Sequence, residues 1–245
     1  MVNRFFLSVH AGKKLIAEGL VSQQDIIKAM MENTVVIISG TTNAYVAEAL
    51  LKVLGEEFDM RGFFRGASMP AGVKRSVEFT SDVIIKEGKW LRGATIFDVA
   101  EELKPGDIIF KGANAVHLPT KEAAVLCGSP VLGTLGASLI PVIGKGVRMI
   151  NPVGLEKRVE LPILDLVRLC NQEGKGPRLC AAPGEVYTEI DAIWDLYGVV
   201  AEIISAGGVG GGEGGIWYAV EGTEEKLAAV AEGIRQIERT PAYTV

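Results

Sequence analysis

The sequence predicts an α/β fold: a Rossmann-like open, mostly parallel sheet with flanking helices over residues 1–175, then an α+β ferredoxin-like domain over 176–245. Three observations predict it. Short apolar runs (Thr34–Ile38, Ile108–Phe110, Val147–Pro152) alternate with segments whose apolar residues recur at helical spacing, the pattern of a parallel sheet covered by helices. The polar, glycine-rich stretch Gln172–Pro177 breaks that rhythm and reads as a linker. Beyond it the elements follow the order β-α-β-β-α-β, which is the ferredoxin-like unit.

The elements are taken in chain order. Val9–Leu20 reads as a helix with Leu15, Ile16 and Leu20 on its apolar face. Ser22 opens a second helix through a capping pattern with Asp25, and Ile26, Ile27, Met30 and Met31 form its buried stripe. Thr34–Ile38 is a β-branched run too short for a helix and reads as a buried strand. Residues 43–54 form the next helix. Gly62–Gly66 is a strand candidate, 67–72 a loop, and Ser76–Ile85 one or two strands. Thr95 caps a helix that Lys104–Asp107 stops. After the strand Ile108–Phe110, Thr120 is the N-cap candidate for a helix starting at Lys121 and Glu122. Pro162 opens a helix reaching Asn171. In the second domain, strands at 178–182, 199–205, 216–220 and 242–245 enclose helices at 185–196 and 223–237.

Composition narrows the function classes. Apolar residues make up 48% of the 245 residues, mean hydropathy is +0.27, and a large core is expected. The net charge is −5 with no basic cluster, so nucleic-acid binding lacks its electrostatic footprint. Cys127, Cys170 and Cys180 have no CxxC spacing and read as reduced thiols of a cytoplasmic protein. With only His10 and His117, and no acidic cluster at ligand spacing, no metal site is predicted; no cofactor is called for. Residues 1–7 are too short an apolar stretch for a signal peptide. Ala123–Gly144 carries no charge and is long enough to span a bilayer. Its glycines and prolines favour a buried glycine-rich turn followed by a core helix, and no membrane partner is expected.

The predicted site lies where the first strand turns into its helix, at Ser39-Gly40-Thr41-Thr42-Asn43. Gly40 permits a tight turn, and the side chains of 41–43 sit where an N-cap belongs. Backbone amides and the positive dipole end make such a turn an anion site. Lys111-Gly112 follows the strand Ile108–Phe110 and places a cation beside any ligand on that turn. Arg65, Lys74 and Arg75 are further phosphate-partner candidates. The loop Ala206–Gly215 joins two strands, so it does not have the geometry of a dinucleotide fingerprint. It reads as a hairpin or subunit contact with Glu213 as a weak site candidate.

The first part of the chain resembles the superfamily of ribose-5-phosphate isomerase, glucosamine-6-phosphate deaminase, the coenzyme A transferases and certain sugar-sensing repressor domains. The residues that carry the resemblance are Ser39-Gly40-Thr41-Thr42, similar to the isomerase's phosphate turn, and Ile109–Val116, similar to a strand followed by a Gly-Ala-Asp/Asn turn. In one alignment Asn114 takes the place of the Asp, and Lys111 and Ala115 stand where the isomerase has acidic residues. In another, Lys111-Gly112 matches a Lys-Gly-Gly loop and Lys121-Glu122 a later basic–Glu pair. That alignment implies Lys111 as electrostatic stabiliser and Glu122 as general base. The resemblance thus implies a phosphorylated small molecule (a sugar phosphate, a nucleotide or a coenzyme A ester) held by Ser39, Gly40, Thr41, Thr42, Asn43, Gly112 and Asn114. An isomerase or transferase is the implied enzyme, in a homo-oligomer. A non-catalytic ligand sensor and an assembly subunit are the competing readings.

Overall fold

The computed structural model describes residues 1–65, 68, 80–240 and 243. Lys74, Arg75, most of the loop expected around them, residues 76–79 and all but Tyr243 of the expected last strand lie outside the described residues.

The chain is a mixed α/β structure with several sheets. It begins with β1 (Val2–Leu7), α1 (Val9–Ser22) and α2 (Gln24–Glu32). The strand β2 (Thr34–Ile37) leads into α3 (Thr41–Val53). Next come β3 (Val83–Lys86), β4 (Lys89–Trp90), α4 (Ile96–Val99) and β5 (Ile108–Phe110). The pair β6 (Ala115–His117) and β7 (Glu122–Cys127) precedes α5 (Gly133–Leu139), which runs on into a π-helical turn, Ile140–Gly144. After β8 (Arg148–Pro152) come a 3₁₀ turn, Leu155–Lys157, then α6 (Ile163–Cys170), β9 (Arg178–Ala182) and β10 (Glu185–Tyr187). The chain ends with α7 (Glu189–Tyr197), β11 (Ala201–Ala206), β12 (Ile216–Glu221) and α8 (Glu224–Ile237).

The main sheet has the order β10-β8-β5-β2-β3-β4. Its first four strands run parallel, and β3 and β4 are antiparallel additions. Both faces are covered. Val35, Ile37, Ile108, Phe110 and Ile150 belong to one core with Leu15 of α1 and Tyr45 of α3. Val36, Ile38, Ile84, Ile109 and Met149 belong to a second core with Ile96 and Val99 of α4. Successive side chains point to opposite faces, so a strand buried on both sides needs an unbroken apolar run.

Two smaller antiparallel sheets flank it, with orders β1-β12-β11 and β6-β7-β9. This corrects the expected second domain. The strands predicted to share one ferredoxin-like sheet are distributed, with β9 beside β7, and β11 and β12 with β1. Residues from both sides of position 175 share the main core, among them Ile37, Tyr187, Ile193 and Tyr218.

Four local expectations change. Lys121 and Glu122 do not start a helix: Lys121 is left-handed (φ 52°) and Glu122 begins β7. The Thr120 hydroxyl donates to Glu122 Oε2 (2.7 Å) and lies 2.8 Å from His117 Nδ1, so it closes a hairpin rather than capping a helix. Ser22 ends α1, its hydroxyl donating to Gly19 O (2.6 Å), and Gln23 is the N-cap of α2. Residues 62–65 form no strand, although Phe63 and Phe64 are buried. The uncharged stretch 123–144 splits into β7, a turn and α5, and its end is no core helix, since Ile140 and Ile143 are 68% and 70% exposed. Among the described residues no helix is long and apolar enough to cross a membrane.

Candidate functional site

The carboxyl ends of β2, β5 and β8 meet at one end of the main sheet. Backbone bonds continue the ladder past the strands: Ile38 N–H to Phe110 O (3.0 Å), Lys111 N–H to Ile150 O (2.9 Å) and Val153 N–H to Tyr187 O (3.0 Å). Each strand there releases a polar loop.

At the end of β2, Gly40 is the N-cap of α3 with φ 177°, an extended backbone that any residue adopts. Among the described residues an added Cβ would meet nothing nearer than Ile38 O at 4.0 Å. The glycine is therefore not there to permit a strained turn. Its effect is to leave the helix without a capping side chain, so the first-turn amides are not covered from their own N-cap. Ala44 N–H bonds back to Gly40 O (2.8 Å), and the amides of Thr41, Thr42 and Asn43 precede that first helical bond. Thr41 Oγ1 accepts from Lys13 Nζ (3.0 Å). Thr42 Oγ1 is buried with no hydrogen-bond partner among the described residues.

Ser39 and Asn43 brace this turn. Asn43 Nδ2 donates to Ile38 O (2.7 Å) and Phe110 O (3.0 Å), stitching β2 to β5. Ser39 N–H donates to Asp82 Oδ1 (2.9 Å), and its hydroxyl accepts from Arg65 Nε (2.9 Å). Asp82 is fully buried, pairs with Arg65 at 3.1 Å and accepts Ile96 N–H at 3.0 Å. Arg65 thus holds an internal carboxylate.

At the end of β5, the Lys111 carbonyl accepts from Asn151 Nδ2 (2.7 Å). Burial, first of all, lowers the Lys111 ammonium to about 8; Arg65 and Lys157 push the same way, against Cys127 and Asp82. Lys13 is also lowered to about 8, by burial and then by Lys157, against the carboxylates of Glu156 and Glu189. Lys157 therefore faces both of the other lysines. Gly112 sits in ordinary contact with the chain, its added Cβ 3.9 Å from Pro152 O. Asn114 Oδ1 accepts Leu126 N–H (3.0 Å) and its own N–H donates to Ala124 O (2.8 Å), which pins the open end of the β6–β7 hairpin. Glu122 lies at the opposite, turn end of that hairpin, bonded to Thr120.

Sequence reasoning missed four residues here: Lys13, Glu156, Lys157 and Glu189. Glu189, the first residue of α7, is buried, and its Oε2 accepts Leu155 N–H at 3.0 Å. Burial and the neighbouring Glu156 charge hold its carboxyl well above the usual carboxylate range. Glu156 Oε1 is buried without a hydrogen-bond partner among the described residues, and Lys157 Nζ lies 3.9 Å from it. Both acids rest against glycines. A Cβ on Gly12 would lie 2.7 Å from Glu189 Oε1, and one on Gly154 would collide with Glu156 Oε2. Those two glycines were the only signal available in the sequence. Comparison with protein-family models, with curated proteins and with solved structures finds no match for the chain.

Proposed function

We propose that this protein binds a phosphorylated small molecule (a sugar phosphate, a nucleotide or a coenzyme A ester) at the N-terminus of α3 and isomerises it or transfers a group from it. One observation carries the reading. Lys13 is bonded to Thr41 at an N-cap that supplies no side chain, and Lys157 faces both Lys13 and Lys111. One ammonium group, that of Lys13, is thus held at the N-terminus of α3, and Lys157 acts electrostatically on both Lys13 and Lys111. Burial and the Lys157 charge disfavour the charged forms of Lys13 and Lys111, and a phosphate dianion would supply counter-charge.

The scaffold fits this reading as a Rossmann-like sheet, with the ligand outside the carboxyl ends of parallel strands. In that reading the protein is a divergent member of the superfamily of ribose-5-phosphate isomerase, glucosamine-6-phosphate deaminase and the coenzyme A transferases. Phosphate would sit on the amides of 41–43 with Thr41 and Thr42, and Lys111 would oppose negative charge developing on the substrate.

A thermal-shift screen against inorganic phosphate, sugar phosphates, nucleotides and coenzyme A esters tests it. At about 100 times its dissociation constant, a native-state ligand raises the melting temperature by about 5 °C. The shift is expected to vanish in Thr41→Ala/Thr42→Ala and in Lys13→Ala. A cooperatively folded protein that responds to none of these compounds overturns the proposal.

A further inference from the structure

We propose that the cavity between the second half of α3 and the antiparallel edge of the main sheet binds the base of a purine nucleoside, stacked on the Arg92 guanidinium. The site is separate from the anion end of α3 and does not depend on phosphate there. Its Glu48 lies two helical turns beyond Thr41, about 10 Å along the axis.

The cavity measures about 1040 Å³, and Lys14, Glu48, Phe58, Thr80, Trp90 and Arg92 are among its lining residues. Ligand cavities run from about 300 to about 1,000 Å³, so a nucleoside fits with room to spare. One wall is aromatic. Phe58 meets Trp90 edge-on, with ring centroids 5.9 Å apart at 71°, and meets Phe63 at 5.1 Å and 87°. Trp90 belongs to β4, the edge strand of the main sheet. The Arg92 guanidinium lies over the Trp90 ring, 3.7 Å from its centroid, and its Nη2 donates to Glu56 Oε2 at 2.6 Å. The Arg92 side chain is nonetheless 61% exposed. One face of the guanidinium plane thus rests on the indole, held there by Glu56, and the other face is open.

Two polar atoms of this lining, Trp90 Nε1 and Thr80 Oγ1, are buried with no hydrogen-bond partner among the described residues. Buried polar atoms are nearly always paired, so each calls for a partner. An indole N–H only donates, and Trp90 therefore asks for an acceptor. The charges of the cavity do not select an ion. Glu48 is paired with Lys14 at 3.2 Å, Glu56 with Arg92 at 2.6 Å and Asp59 with Arg61 at 2.6 Å. Lys52 and Glu57, one of each sign, are the lining charges left without an ion pair among the described residues. The fitting occupant is neutral and planar. Its flat face stacks on the open side of the guanidinium. A ring nitrogen accepts from Trp90 Nε1, and an exocyclic amine or a sugar hydroxyl meets Glu57 or Thr80. A purine nucleoside carries all of these groups, with a wider stacking face than a pyrimidine.

Adenosine and guanosine test this apart from the anion end, since neither carries a phosphate. The reporter is the Trp194→Phe/Trp217→Phe chain, in which Trp90 is the one indole left. At least one of the two nucleosides is expected to quench Trp90 saturably, with a dissociation constant below about 1 mM. Arg92→Lys keeps the charge and removes the plane, and is expected to weaken binding by about 10-fold. Trp90→Phe keeps a ring and removes the N–H, and is expected to weaken binding, read by thermal shift, by about 10-fold. Lys13→Ala is expected to bind the nucleoside as the parent does while losing its thermal shift with inorganic phosphate. No saturable quench from a cooperatively folded reporter, or parent-like binding by Arg92→Lys, overturns the proposal. A nucleoside response that Lys13→Ala abolishes overturns it too, because the ligand then sits at the N-terminus of α3. An absent phosphate response beside intact nucleoside binding removes the phosphate reading alone.

Discussion

Lys13 and Glu189 are both held away from their ordinary protonation, and each ties stability to pH. Lys13 stands near 8 in the folded chain against 10.5 as a free lysine. The unfolded chain therefore binds more protons between those values, and stability rises with pH across that window. Below it the folded protein carries the full cost of a buried ammonium. Lys13→Met is expected to raise stability at pH 7 in phosphate-free buffer by on the order of 1–3 kcal/mol, at the lower end because Lys13 also compensates Glu156 and Glu189. Melting temperatures measured against pH should show that gain shrinking from about pH 8 upward; a gain independent of pH refutes the burial account. Glu189 has the opposite sign. Its folded value lies above 4.5, so the folded chain keeps a proton that the unfolded chain gives up, and stability falls as pH rises from 4.5. Glu189→Gln keeps the acceptor for Leu155 N–H and removes the titration. Its melting temperature should exceed the parent's by a margin that widens from pH 5 toward pH 8. Neither residue was legible in the sequence. A Lys in an amphipathic helix and a Glu at a helix start normally face water, and only the packing of α1 against α7 buries them.

Helix α1 crosses α7 at Gly19, and the contact leaves no room for a methyl group. A Cβ there would lie 2.7 Å from Ala192 Cβ and 2.8 Å from Ala192 Cα. Gly19→Ala should lower stability by about 1–3 kcal/mol through overpacking, read as a fall in melting temperature. Gly128→Ala is its control, because among the described residues nothing lies within 4 Å of a Cβ added there. An unchanged melting temperature in Gly19→Ala would mean that the two helices are not locked at this point. Elements with strong periodicity, such as α3, α8, β2 and β5, were readable because one face or two faces of burial write themselves into the order of apolar residues. The segment 115–127 was not, because Glu-Ala-Ala-Val-Leu suits a helix as well as a strand. The choice was made by Lys121 turning left-handed and by β9 pairing with β7. Residues 185–187 failed for the same reason, since β10 exists because β8 offers it an edge.

At the scale of the whole molecule, the first and last parts of the chain complete each other. β1 pairs along its length with β12, and the Met1 ammonium donates to Gly222 O at 3.2 Å. A fragment ending at residue 175 would leave β1 without β12, β7 without β9 and β8 without β10. It is expected to show no cooperative thermal transition, whereas two independent domains would each melt cooperatively. A chain lacking residues 1–7 should lose hydrogen-exchange protection across β12, which it leaves with one strand neighbour. By itself the sequence determined the strand–turn–helix at 34–53 and the parallel core strands. Those features follow from local apolar order. Tertiary structure alone decided which strands share a sheet, that α7 returns to α1, and that Lys13 of α1 bonds Thr41 while feeling the charges of Lys157, Glu156 and Glu189. Contacts between residues far apart in the chain leave no period in the sequence, because partner and position are chosen by packing rather than by spacing.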